Sequence, residues 1–365
     1  MDAQQPSSIP EAQKSGVVVK SATAGQTATA TLGTPVDDPS NIRKRDEVLA
    51  SIGRNGLVVV AGAGVSIQSA GHPRPSPDVA GWSGLLKHGV EHCLKHQLLE
   101  SDEADLVRQQ ITIGDNPGKT DYLIEAAQRI HDSLQKRTNG RYWWLHDSIG
   151  QLKANDTRLI RAIQGMGGLI ATLNYDNLVE QVTGWRTIEW HQRVDVTRCM
   201  HDRERDVVLH LHGFWKNSER IILDRLSYEE IKRHGDTRDL LRDFARNYTL
   251  LFIGCGETFF DPNFQTFLSW AREALLGVQH RHYILCRQSD EPKLFTSLLQ
   301  HGYLDSLVYG DNYGELSPFL EAIGNESGAS SKATNPPIFP TASTAPDTSS
   351  KPRKPADIWK LQTQR

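Results

Sequence analysis

The chain has 365 residues, 41 Lys+Arg against 44 Asp+Glu, and four cysteines. That length allows a large core or two domains, and the near-neutral charge argues against a general nucleic-acid binder, so no direct nucleic-acid contact is expected. No apolar run approaches the ~20 residues that span a bilayer, and the opening "MDAQQPSSIPEAQKSG" lacks the charged-then-apolar pattern of an export signal. A soluble, cytoplasmic protein with no membrane contact is the expectation.

Residues 1–42 are rich in Ala, Thr, Gly, Ser and Gln, and residues 326–365 in Ser, Thr and Pro. Such segments bury too little apolar surface to offset chain entropy, so both are expected to be disordered. The final "ADIWKLQTQR" reads as a solvated end, with a short partner-docking motif as the alternative.

Between these tails, residues 43–325 alternate apolar β-branched runs with helical patterns. "GLVVVAGAG" (Gly56 to Gly64) predicts a buried strand entering a glycine turn. From Trp82 to about Met166 only helical patterns occur, such as "KTDYLIEAAQRIHDSLQKR", which predicts a helical insert after the first strand. "GGLIATLNYD", "DVVLHLHG", "YTLLFIGCG", "RHYILC" and "DSLVYG" supply the following strands. "DPNFQTFLSWAREALLG" and "DEPKLFTSLLQHG" have helical periodicity ending at glycine. Apolar strands separated by helices imply an α/β, Rossmann-like, doubly wound and mostly parallel sheet.

Cys93, Cys199, Cys255 and Cys286 are widely spaced with no C-x-x-C pair, so buried reduced thiols are expected rather than a disulfide framework or a zinc ribbon. In the insert, His88, His92 and His96 recur every four residues. A metal pair is the sharper reading and a solvated helix face the favoured one, since no H-E-x-x-H glutamate accompanies them. Trp143 and Trp144 are expected to anchor the insert's core or an interface.

Two segments compete as phosphate sites. "GDNPGKT" (Gly114 to Thr120) is one residue short of a Walker A loop and follows a helical pattern where a strand is required, so it reads as a helix start. "VVVAGAGVSIQSAG" instead places Gly62, Gly64 and Ser66 directly after a strand, where a tight turn and a helix N-terminus face a phosphate. The third glycine of G-x-G-x-x-G is replaced by Ile67.

Ligands of open α/β sheets sit beyond the carboxyl ends of the strands. There the sequence puts Asn174 and Asp176, then His210 and His212, then Glu257 and Asp261. The two histidines of "HLHG" share one strand face. They read as a metal pair, a catalytic base with a neighbour, or an ordinary strand end.

"GAGVS", "TLNYD", "LHLHG" and "FIGCGETFFDPN", in that order over roughly residues 50–310, resemble the four blocks of the bacterial sirtuin-like NADase family, in its antiphage-defence branch. The resemblance implies NAD+ as substrate and no metal. It implies a pyrophosphate held by Gly62, Ala63, Gly64 and Ser66, and further NAD+ contacts from Thr172, Gly254, Gly256 and Glu257. Asn174 matches the catalytic asparagine, Asp176 a residue near the nicotinamide and ribose, and His212 the catalytic histidine. His210 is then a supporting neighbour.

These residue types suit cleavage of the nicotinamide–ribose bond. The leaving group departs neutral, so catalysis needs positioning, charge stabilisation and water control more than a strong acid. An Asn orients a water or the ribose, and a His takes a proton. The zinc module and the Pro-Asp-Phe-Arg run of sirtuin deacetylases have no counterpart here, which disfavours an NAD-dependent deacylase. A non-catalytic nucleotide-binding sensor or scaffold is the third reading. Because NAD+ depletion harms its host, the resemblance also implies a homo-oligomer and a separate activating or sensing protein.

Overall fold

The computed structural model describes residues 35–71, 76–116, 118–201, 204–233, 242–255, 281–292, 294 and 303–328. The "DPNFQTFLSWAREALLG" helix, most of "DEPKLFTSLLQHG", and the terminal "ADIWKLQTQR" lie outside them.

Seven strands form one sheet: β1 (Leu57–Ala61), β2 (Leu169–Thr172), β3 (Arg186–Glu189), β4 (Val207–His210), β5 (Thr249–Ile253), β6 (His282–Arg287) and β7 (Leu304–Gly310). Their order is β3-β4-β2-β1-β5-β6-β7, and every pair is parallel. The alternation of strands and helices in the sequence predicts this doubly wound architecture. From β1 the chain first fills one side of the sheet and then crosses to β5 on the other. The carboxyl ends of β1 and β5 are therefore the topological switch point, the usual ligand position in such sheets.

All five residues of β1 are buried because both sheet faces are covered. Leu57, Val59 and Ala61 join one apolar core, and Val58 and Val60 join the other. This two-residue alternation explains why the strand is apolar throughout.

β3 is a strand that apolar patterning misses. Its "RTIE" is short, polar and half-exposed, which suits the sheet edge it occupies.

Between β1 and β2 the described residues form helices: α2 (Ala63–Ala70), α3 (Trp82–Lys95), α4 (Ser101–Gly114), α5 (Thr120–Leu134), α6 (Gly140–Asp147) and α7 (Arg158–Gly165). Trp144 is fully buried whereas Trp143 is exposed. The histidine row of α3 is no solvated face. His92 is buried, and that burial pushes its imidazole down to about 4.

Structure also begins earlier than composition suggests. α1 (Pro39–Gly53) starts inside the segment expected to be disordered through residue 42. The Asp38 carboxylate caps it, accepting from the Ser40 amide at 2.8 Å, with Pro39 in the first turn. Buried Asn41 donates its side-chain amide to Val308 O and accepts from Val308 N, both at 2.9 Å. It thereby satisfies the open edge of β7 as a further strand would. After β7, α11 (Leu316–Glu326) closes the described chain. α8 (Leu178–Thr183), α9 (Arg193–His201) and α10 (Arg225–Arg233) complete the elements used below. Among the described residues no helix is long and apolar enough to cross a membrane.

Candidate active site

The glycine loop sits at the switch point. Gly62 caps α2, and its amide donates 2.8 Å to Ile253 O. The Gly64 amide donates 2.9 Å to Gly254 O, and the Val65 amide 3.0 Å back to Gly62 O. The Ala63 amide has no partner among the described residues, so it is the N–H of this turn open to a ligand. A Cβ on Gly64 would lie 2.9 Å from Gly254 Cα, so this glycine is demanded by contact with β5 before any ligand arrives. Ser66 is buried and turned inward rather than towards the loop's outer face.

Asn174 lies two residues beyond the end of β2. Its Nδ2 donates to Gly62 O at 2.9 Å and to Ser66 Oγ at 2.8 Å. A backbone carbonyl only accepts, which fixes the orientation of the side-chain amide. Both amide protons are thus engaged, and Oδ1 accepts no hydrogen bond from any described residue. Thr172, also buried, supports the turn. Its Oγ1 donates 3.1 Å to Ala61 O and accepts from the Asn174 amide at 3.0 Å.

Asp176 is buried and accepts from the Leu178 amide, the first of α8, at 3.0 Å. The Ser66 hydroxyl that Asn174 meets also favours the ionised form of this carboxylate. Burial raises the Asp176 carboxyl above its ordinary range.

His212 follows from register. β2 and β4 pair Thr172 with His210, and the Leu211 amide donates 2.9 Å to Thr172 O, which sets Asn174 and His212 beyond neighbouring strand ends. The imidazole of His212 is buried, and its Nδ1 has no partner among the described residues. Burial pushes it down to about 3, leaving a neutral ring at physiological pH. The Ile222 amide holds the His212 carbonyl at 2.9 Å. Gly213, with φ of 93°, lets the Arg220–Ile221 backbone approach; a Cβ there would meet Arg220 O at 2.7 Å. It serves that chain crossing.

His210 does not contact its companion histidine. Its ring is fully buried, with Nδ1 3.0 Å from Asn174 O and Nε2 2.8 Å from Glu180 Oε1. Thr187 Oγ1 donates to the same Glu180 oxygen at 2.7 Å. Burial alone would lower His210, but the Glu180 carboxylate, then Asp176 and the Asn174 carbonyl, outweigh it and hold the ring above its ordinary range. Burial would likewise raise Glu180, yet His210 and Thr187 keep it low.

Glu180 escapes sequence reasoning because it stands on α8, away from every strand end. Its position six residues after Asn174 signals nothing until the β2–β4 register brings His210 to it. Of the residues singled out from sequence, Gly62, Ala63, Gly64, Ser66, Thr172, Asn174, Asp176, His212 and Gly254 gather at one sheet edge. Gly256, Glu257 and Asp261 lie outside the described residues.

Residues 168–306, from the start of β2 into β7, match the family model of the SIR2-like domain. The match supports a sirtuin-like family and links the chain to NAD-dependent enzymes. The glycine loop at Gly62–Ser66 precedes the matched region.

Proposed function

We propose that the protein is an NAD+ glycohydrolase, with residues 43–325 as its catalytic unit, that cleaves the nicotinamide–ribose bond to give nicotinamide and ADP-ribose. The observation that carries this reading is that, among the described residues, Asn174 Oδ1 and the Nδ1 of a neutral His212 have no hydrogen-bond partner and stand beyond adjacent strand ends. Beside them the Ala63 amide and the N-terminus of α2 suit a phosphate.

The glycosidic C–N bond breaks with its electron pair going to nicotinamide, which leaves neutral and places positive charge on the ribose. Asn174 Oδ1 accepts a hydrogen bond from the attacking water or a ribose hydroxyl and fixes it in line. Water oxygen bonds to the anomeric carbon, and its proton passes to the neutral His212 ring and on to solvent. Ser66 keeps Asn174 aimed. Thr172 does the same from the backbone side.

The four cysteines support hydrolysis over acyl-lysine transfer. Cys93, Cys199, Cys255 and Cys286 are each free, each buried and each on a different part of the fold. The likeness to the antiphage branch supports a cytoplasmic effector that depletes NAD+, working as a homo-oligomer under control of a separate activating protein.

The test is nicotinamide release from NAD+ by the purified full chain, alone and with the neighbouring protein it co-purifies with. Asn174→Ala and His212→Ala should each lower turnover by about 100-fold or more while keeping the fold. Absence of nicotinamide from every oligomeric state and complex would remove the proposal.

A further inference from the structure

We propose that His210 and Glu180 form a buried charged clamp that sets the position of Asn174, making His210 a positioning residue of this site. The inference rests on the hydrolase reading for its kinetic consequence and on geometry for everything else.

A backbone carbonyl has no proton to give, so His210 Nδ1, 3.0 Å from Asn174 O, must carry one. Nε2, 2.8 Å from an ionised Glu180, must carry another. The ring that holds Asn174 is therefore an imidazolium. The charged groups facing it are Glu180 from α8 and Asp176 from the turn after β2, while Phe214 covers it with a ring centroid at 5.0 Å. Thr187 on β3 fixes the Glu180 oxygen from the far side.

Asn174 is consequently held at four atoms or groups. Its amide meets Thr172, its carbonyl meets His210, and its two Nδ2 protons meet Gly62 and Ser66. Among the described residues, Oδ1 is the polar atom of Asn174 left without a partner, and it is the atom offered to substrate. Burying a charged pair gains little stability over apolar packing. A pair aimed at the carbonyl of the residue that needs accurate placement has a use that packing does not supply.

Two measurements on the full chain test this. The first is the ¹⁵N spectrum of the His210 ring at about pH 8, where an ordinary histidine is neutral. Both ring nitrogens should be protonated in the native protein, and the Glu180→Gln variant should lose one proton and shift the Asn174 side-chain amide resonance. A singly protonated native ring, or an unmoved Asn174 resonance, overturns the clamp.

The second is kinetic. Glu180→Gln and His210→Gln should lower kcat by about 100-fold with KM within about threefold of the native value. Combined with Asn174→Ala, either should cost nothing more; losses that multiply would overturn the clamp. If the native chain releases no nicotinamide, the hydrolase reading falls while the ring and amide spectra still decide this one.

Discussion

Gly64 and Gly254 meet backbone to backbone at the switch point of the sheet: the Gly64 amide donates 2.9 Å to the Gly254 carbonyl. Gly254 has φ of 70°, and a Cβ there would lie 2.6 Å from Val65 N. Gly254→Ala therefore combines left-handed strain with a backbone clash, and should cost about 3 kcal/mol. Gly53→Ala, which meets nothing within 4 Å, should be neutral or slightly stabilising. Urea midpoints of the two variants check this. Equal midpoints would mean that the loop relaxes around the added methyl.

The same contact shows what could be read from sequence. Apolar β-branched runs announced every central strand because burial on both faces leaves no polar positions to confuse the pattern. The edge strand β3 was silent for the opposite reason, since "RTIE" carries charge where the edge meets water. The N-terminal start of α1 was hidden because Asn41 is ordered by a partner 267 residues away, which local composition does not encode. At the site, strand-end position placed Asn174 and His212 among six candidates, and the resemblance to the sirtuin-like family singled out these two. The roles of Ser66, His210 and Glu180 depend on which side chain reaches which, and that follows from register and helix placement rather than spacing.

The thiols give a plain test of the core. Burial pushes Cys93 and Cys199 up to about 11 and Cys286 up to about 12, and Cys255 is fully buried. Thiolate is the reactive form, so the native chain should resist a disulfide reagent at neutral pH. All four thiols should become reactive together on unfolding. Rapid modification of even one in the native state would contradict the placement of that residue.

Acid should destabilise the fold through its buried neutral histidines. His212 is pushed down to about 3 and His92 to about 4, in both cases by burial, and His88 is lowered for the same reason. Below about pH 6.5 the unfolded chain binds protons that the folded rings refuse, so stability falls as pH falls towards the folded values. His212 and His92 each contribute up to about 1.4 kcal/mol per pH unit inside that window. His210 has the opposite sign: its raised value adds stability below about pH 6.5 that is lost as pH rises through the folded value. Urea midpoints from pH 7.5 to 4.5 should therefore drop on the acid side. His92→Gln should flatten that drop, and a native profile flat across the range would refute the assignment.

The last prediction concerns how the helical segment before β2 is tied to the site. Arg141 on α6 is buried and donates 2.9 Å to Ile221 O, with the same nitrogen 3.2 Å from Asp224 Oδ2. Asp224 in turn accepts from the Ser227 amide at 2.9 Å at the start of α10. The adjoining Ile222 holds His212 through its amide and receives the Tyr175 hydroxyl at 2.7 Å on its carbonyl. One guanidinium thus fixes the segment on which His212 rests. Arg141→Met removes the guanidinium from a buried carboxylate and leaves His131 Nδ1, 3.5 Å from the same oxygen, as its basic neighbour; the loss should cost about 3 kcal/mol. Asp224→Asn keeps the cap oxygen and removes the charge, so adding it to Arg141→Met should recover part of that loss. A double variant as unstable as the sum of the singles would show that the two residues do not act as a pair. If they do, Arg141→Met should also slow nicotinamide release in protein still folded at low temperature, because the segment beneath His212 loses its anchor to α6.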